Sequence, residues 1–215
     1  MILHSYFRSS TSYRARIALN LKGVAFTQSP VNLKTGEQAG APYRAVNPYG
    51  TVPALESESG ILYQSLAIID WLEQSYPNPS FLPADKHAAQ ICRELYYAVA
   101  TEIHAVNNLP VLKELRSVYS ADQSDLEAWY AKWIHRTFEP VEKRLKDFEW
   151  LSDGFPFGAP SLFEIVLIPQ IYNANRWKTD LSEFPLLRSI DTACADIDSF
   201  QNAHPNKQPD ATEDA

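Results

Sequence analysis

Hydrophobic and polar positions change rhythm near residue 79. Before it, short apolar runs alternate with turn-forming residues; beyond it, apolar positions recur at helical spacing almost as far as His204. Ile2 to Phe7 predicts a short strand. The polar run Arg8-Ser9-Ser10-Thr11-Ser12 then leads into a helix ending near Lys22-Gly23, with Ile17 and Leu21 as an i, i+4 apolar pair and Gly23 where a left-handed terminus is expected. A second strand is expected from about Ala25 to Asn32. Asn47-Pro48-Tyr49-Gly50-Thr51-Val52-Pro53-Ala54-Leu55 predicts a turn entering a strand, and Ile61-Leu62-Tyr63 its hairpin partner across Ser59-Gly60. Helical spacing resumes from Ser65 to Tyr76.

The order is βαβ, connector, ββα, which is that of a thioredoxin-like domain. Pro77, Pro79 and Pro83 punctuate the next residues, after which strand signals give way to helical ones. The expected organisation is therefore an α/β thioredoxin-like N-terminal domain over residues 1–78, an all-α C-terminal domain over 84–205 and a loose, acidic tail over 206–215. Within the second region Ser161 stands three residues before Glu164, directly ahead of Ile165-Val166-Leu167-Ile168. That spacing predicts a capping box opening a buried helix.

Composition narrows the function classes. At 215 residues and 45% apolar content, the chain can bury real cores. Its net charge of −7 comes with scattered Lys and Arg, so no basic stripe points to a nucleic-acid or membrane partner, and an anionic substrate must be met by local cations. No apolar run approaches the roughly 20 residues of a membrane span. Cys92 and Cys194 are too few and too far apart for a disulfide framework or a thiolate metal site, which fits a reducing compartment and a cytoplasmic location. No histidine spacing makes a metal site.

The serine cluster carries the chemistry. A helix N-terminus exposes unpaired N–H groups and a partial positive charge. One hydroxyl suffices to cap it, yet Ser9, Ser10, Thr11 and Ser12 crowd this one. Capping explains part of the run. A hydroxyl also donates to a thiolate, which lowers the thiol pKa, and a thiol of pKa near 8.5 shifted down by two units goes from about 3% to roughly three-quarters ionised at pH 7. No cysteine lies near this turn, so such a thiol must come from a cofactor.

The stretch Tyr6-Phe7-Arg8-Ser9-Ser10-Thr11-Ser12-Tyr13-Arg14-Ala15-Arg16-Ile17-Ala18-Leu19 closely resembles the signature S-S-C-S-x-R-x-R-I-A-L of the zeta class of glutathione transferases. The resemblance continues through Ala45-Val46-Asn47-Pro48, Val52-Pro53-Ala54-Leu55, Gln64 to Ile69, Ile103-His104, Asn107-Asn108-Leu109 and Pro169 to Arg176, and reaches the tail at His204-Pro205 and Gln208-Pro209-Asp210. It implies the glutathione transferase fold, glutathione as cofactor and a homodimer. Residue by residue, it makes Ser9 the hydroxyl to the glutathione thiolate, with Ser10 and Thr11 lining the same pocket. Thr11 departs from the cysteine usual there and keeps a donor. The resemblance also makes Val52-Pro53 a cis-proline turn whose Val52 backbone pairs with the tripeptide, places Gln64 and Ser65 at the γ-glutamyl carboxylate, and puts Gln38 and Lys34 near the glycine end. Ser65 is equally read as a simple cap.

His104 and Asn108, at i, i+4, are expected to share a helix face and reach one ligand. For the substrate, the resemblance nominates Arg8, His104 and Arg176. Arg8 is also suited to a surface ion pair and Arg176 to a helix C-terminus. Tyr6 fits packing better than thiol binding. The implied activity is cis–trans isomerisation of a small dicarboxylic oxo acid, maleylacetoacetate, with maleylpyruvate as the neighbouring branch; Pro110, where arginine is common, counts against both. The rivals are a general glutathione transferase and a noncatalytic interaction module on the same fold.

Overall fold

The computed structural model describes residues 1–211. The chain divides into two compact units, one formed by Met1–Ser80 with the segment beginning at Ala195, the other by Phe81–Cys194.

In the first unit, β1 (Ile2–Ser5) is followed by α1 (Ser10–Leu21) and by β2 (Thr27–Pro30), which lies parallel to β1. A short 3-10 turn (Glu37–Ala39) and α2 (Ala41–Val46) lead to β3 (Ala54–Ser57), β4 (Gly60–Tyr63) and α3 (Ser65–Ser75). The sheet order is β2-β1-β3-β4, with β3 antiparallel to both neighbours. The succession of elements, βαβ then ββα, is the thioredoxin-like order read from the chain. The hairpin turns at Glu58-Ser59, one residue earlier than expected, and β2 is half its expected length.

Position in the sheet explains the burial. Interior strand β1 withdraws Leu3, His4 and Ser5 from solvent, so both polar side chains need partners. His4 Nε2 lies 2.7 Å from Glu56 Oε1, and Ser5 Oγ accepts from Arg16 Nη1 at 3.0 Å. α1 buries Ala15, Ile17, Ala18 and Leu19 completely and packs on α3. It stops where Gly23 takes φ +65°, a conformation a Cβ disfavours.

The second unit is helical: α4 (Lys86–Glu102), α5 (His104–Asn107), α6 (Leu109–Tyr119), α7 (Gln123–Lys146), α8 (Leu162–Arg176) and most of α9 (Pro185–Ala195). Its core is made by α4, α7 and α8. The capping box forms at α8: Ser161 N–H donates to Glu164 Oε2 at 2.8 Å, while Ser161 Oγ accepts from Phe163 N–H.

The C-terminal segment differs from the sequence expectation. Helix α10 (Asp198–Ala203) belongs to the first unit, where it packs on α1. Residues 206–211 are fastened rather than loose: Gln208 is buried and bonded to Gln28, and Asp210 to Phe7. Besides the Gln28 side chain, these residues meet backbone groups: Gln208 Nε2 donates to the Asn202 and His204 carbonyls, and Asp210 accepts from Phe7 N–H. The expected tail at 212–215 lies outside the described residues.

Candidate active site

Ser9 is the N-cap of α1, with φ −70° and ψ 119°, and its Oγ accepts from Ser12 N–H at 3.2 Å. The same oxygen lies 2.9 Å from Thr11 Oγ1, which in turn lies 2.9 Å from the Val52 carbonyl. A carbonyl only accepts, so the single Thr11 proton goes to Val52 and the Ser9 hydroxyl donates to Thr11. The result is a directed chain, Ser9 to Thr11 to Val52. Ser10 is 92% withdrawn from solvent at the first position of the helix, and Ser12 accepts from Tyr6 N–H. Ser9 caps, Thr11 ties the turn to the Val52-Pro53 loop, and Ser12 ties it back to Tyr6.

That loop is held from behind. The Val52-Pro53 bond is cis, as the resemblance implied. Tyr43 Oη and Asn47 Nδ2 both donate to the Thr51 carbonyl, at 2.7 and 2.6 Å. Withdrawal from water pushes the Tyr43 phenol up to about 12, so it remains a donor at any physiological pH. Sequence reading missed both residues as loop anchors; the Asn47-Pro48 turn was their one local signal.

Gln64 precedes α3 with φ +69° and ψ 122°, a region that costs a non-glycine residue about 1–3 kcal/mol, and its side chain makes no capping bond. The first α3 N–H groups are thus uncapped by a side chain. The reading of Ser65 as the cap is corrected: it is the first helical residue, buried, and Gln64 holds the cap position. Gln38 lies in the 3-10 turn with Oε1 sealed from solvent and no hydrogen-bond partner among the described residues. Lys34 is exposed.

In the second unit, the helix breaks between His104 and Asn108, so they do not share a face as the spacing predicted. His104 opens α5, whereas Asn108 is extended at ψ 162° and caps α6, its Oδ1 accepting from Val111 N–H at 3.1 Å and its Nδ2 donating to the Ala105 carbonyl. Pro110 sits in the first turn of α6, where a missing N–H costs nothing. Arg176 is exposed at the end of α8, its guanidinium 6.0 Å from the Tyr172 ring, and it makes no ion pair among the described residues. In the first unit, Arg8 lies 5.1 Å over the Phe7 ring.

Neither cysteine is suited to act as the nucleophile. Cys92 Sγ donates to Ser161 Oγ at 3.3 Å, and its pKa is pushed up to about 12 by burial first and by the nearby Glu164 charge in addition. Burial, with Glu164 and Asp191, pushes Cys194 higher still. A thiolate at the hydroxyl turn must be brought in from outside.

Comparison with known proteins places this geometry in context. Residues 3–80 match the family described as glutathione S-transferase, N-terminal domain. The chain is 41% identical over 212 residues to a maleylpyruvate isomerase from a Ralstonia species, covering 98% of this chain and 100% of that protein. A solved structure described as holo maleyl pyruvate isomerase, a bacterial zeta-class glutathione S-transferase, superposes with a TM-score of 0.96 at 40% identity, covering 99% of this chain and 100% of that one. Maleylacetoacetate isomerase from Anaeromyxobacter dehalogenans, solved with glutathione in its active site, gives a TM-score of 0.86 at 39% identity, covering 98% and 97%.

Proposed function

Because the chain belongs to the zeta class of glutathione transferases, we propose that it is a glutathione-dependent isomerase converting a small maleyl oxo acid from cis to trans. The carrying observation is the hydroxyl turn itself, where Ser9, Thr11 and the Val52 carbonyl are joined within 2.9 Å contacts while both of the chain's own thiols are buried and protonated. The donor set suits a thiol tripeptide. Ser9 and the α1 N-terminus hold the sulfur in its charged form, the Val52 backbone meets the central amide, Gln64 and Ser65 present α3 N–H groups to the γ-glutamyl carboxylate, and the orphaned Gln38 Oε1 accepts from the glycine end. Bound there, glutathione supplies a thiolate that adds to the cis double bond, permits rotation and is expelled unchanged.

Arg8, His104 and Arg176 are assigned to the substrate carboxylates and to the negative charge that develops during addition. Arg176 suits this because its charge is not already neutralised by an acid among the described residues. Maleylacetoacetate is the reading the sequence suggested. Maleylpyruvate is the second, supported by the 41% identity to the Ralstonia enzyme that bears that name. The reading includes a homodimer in the cytoplasm, the latter in keeping with two buried, unpaired cysteines.

The test is isomerisation of both cis acids by the purified protein, with and without glutathione. Turnover should require glutathione without consuming it and should fall at least ten-fold in Ser9→Ala, as expected for loss of a preorganised donor. Turnover without glutathione, or near-wild-type rates in both Ser9→Ala and Arg176→Ala, would discard the assignment.

A further inference from the structure

The backbone of Phe7, two residues before Ser9, is gripped on both its polar groups. Its N–H donates to Asp210 Oδ2 at 2.9 Å, across 203 positions of sequence. Its carbonyl accepts from Arg16 Nη2 at 3.0 Å, and the same guanidinium donates through Nε to the Ala203 carbonyl. Arg16 is wholly buried, so these bonds satisfy a charge that water does not reach. Ser9 N–H in turn donates to the Tyr6 carbonyl at 3.0 Å, closing the turn just below the clamp. Ala211 packs on the cluster of Tyr6, Phe7, Val31, Tyr43 and Val52, a cluster that includes the residue whose carbonyl receives the Thr11 proton.

Stability alone accounts poorly for Asp210. Its second oxygen, Oδ1, is sealed from solvent without a hydrogen-bond partner among the described residues, a desolvation cost that a single N–H bond offsets only in part.

We propose that Asp210 is a positioning residue for the thiol-holding turn, its carboxylate clamping Phe7 N–H so that Arg8 and Ser9 leave β1 in a fixed direction. This rests on the glutathione-dependent reading above. A displacement of Ser9 by a fraction of an ångström matters because thiolate stabilisation depends on a hydroxyl held in one place.

The experiment compares wild type with Asp210→Ala, Asp210→Asn and Asp210→Glu by thiolate absorbance of the glutathione complex against pH, by KM for glutathione, and by amide hydrogen exchange over residues 6–10 without glutathione. Asp210→Ala should raise the pKa of the bound thiol, raise KM about ten-fold and speed exchange at Phe7. Asp210→Asn, whose amide oxygen accepts the same N–H, should restore most of all three. Should Asp210→Ala not fold, Asp210→Glu keeps the charge and shifts the acceptor, and should still raise the thiol pKa. A wild-type thiol pKa and KM in both Asp210→Ala and Asp210→Glu, or an Asp210→Asn protein as impaired as the alanine variant, would overturn the proposal. Absence of glutathione binding by the wild type would instead overturn the functional reading on which it rests.

Discussion

Thr11→Val should lower the pKa of enzyme-bound glutathione and tighten the hold on its thiolate. In the free protein the single Ser9 proton is given to Thr11 Oγ1 at 2.9 Å, because Thr11 has already given its own to the Val52 carbonyl. Ser9 cannot donate to sulfur and to Thr11 at once. Holding a thiolate therefore costs the protein one neutral hydrogen bond, a net of about 0.5–1.5 kcal/mol. At 1.36 kcal/mol per pKa unit, that competition keeps the thiol pKa about 0.4 to 1.1 units higher than Ser9 alone would set it. Valine has the shape of threonine without the oxygen, so it removes the competitor. It also removes the bond to Val52, but from the free and the bound protein alike, so the relieved competition stands alone and the thiolate should be held roughly two- to thirteen-fold more tightly. Thr11 is only half-buried, and water that replaces part of the loss makes both upper limits ceilings.

The assay is thiolate absorbance of the complex titrated against pH, with calorimetry for affinity. Thr11→Ser keeps both bonds and should match wild type. Thr11→Cys, which restores the residue usual in the class, should fall between serine and valine, since a thiol is a weak donor and acceptor. A bound-thiol pKa that rises or stays put in Thr11→Val refutes the competition, and with it Ser9 as the hydroxyl that serves the sulfur.

Arg176→Ala should raise KM for either cis acid about ten-fold or more and leave KM for glutathione unchanged, since the guanidinium would pair with substrate carboxylate; steady-state kinetics with each ligand varied in turn decides it. At α8, Glu164→Ala strips the acceptor from Ser161 N–H and Ser161 Oγ, both buried, and should cost about 2–4 kcal/mol in urea unfolding. Burial raises the Glu164 pKa above its ordinary 4.5, outweighing the Ser161 bonds that lower it. The linked stability is therefore fully present below about pH 4.5 and is lost as pH climbs through the raised folded value. Relative to Glu164→Gln, which carries no such titration, wild type should lose stability across that interval, and a gap that stays constant or moves the other way rules the account out.

Much of this molecule could be read from local signals. Gly23 marks the end of α1, Ser161 and Glu164 close a box three residues apart, and the alternating runs up to Tyr63 give the succession of strands and helices, because each depends on residues within one turn or one hairpin. The features that escaped are those made at long range. Spacing put His104 and Asn108 on one helix face, yet the helix breaks at Asn108, whose side chain serves the next helix better as a cap than the first as an interior residue. The acidic composition beyond His204 suggested looseness, whereas Asp210 and Gln208 meet partners roughly two hundred positions away. Arg16 is wholly buried because three backbone carbonyls and Ser5 Oγ surround its guanidinium, a setting no local pattern announces.

That burial has a chemical consequence. A cation beside a thiolate lowers its pKa further than a hydroxyl does, yet Arg16 spends its donors on carbonyls and on Ser5, and the group at the α1 cap is the uncharged Ser9. Moving a thiol pKa from about 8.5 to 6.5 raises the ionised fraction at pH 7 roughly twenty-five-fold, while the nucleophilicity of each thiolate falls about eight-fold at a Brønsted slope near 0.45, for a net gain of about three-fold. A further two units would add almost nothing to the ionised fraction and would cost another factor of about eight. A turn of hydroxyls and N–H groups that moved a bound thiol by about two units would stop near the optimum, and a lysine or arginine pointing at the sulfur would pass it. By the same arithmetic, a Thr11 that drew the Ser9 proton away from a bound sulfur would do no harm: near the optimum, half a unit in either direction changes the rate by less than about two-fold.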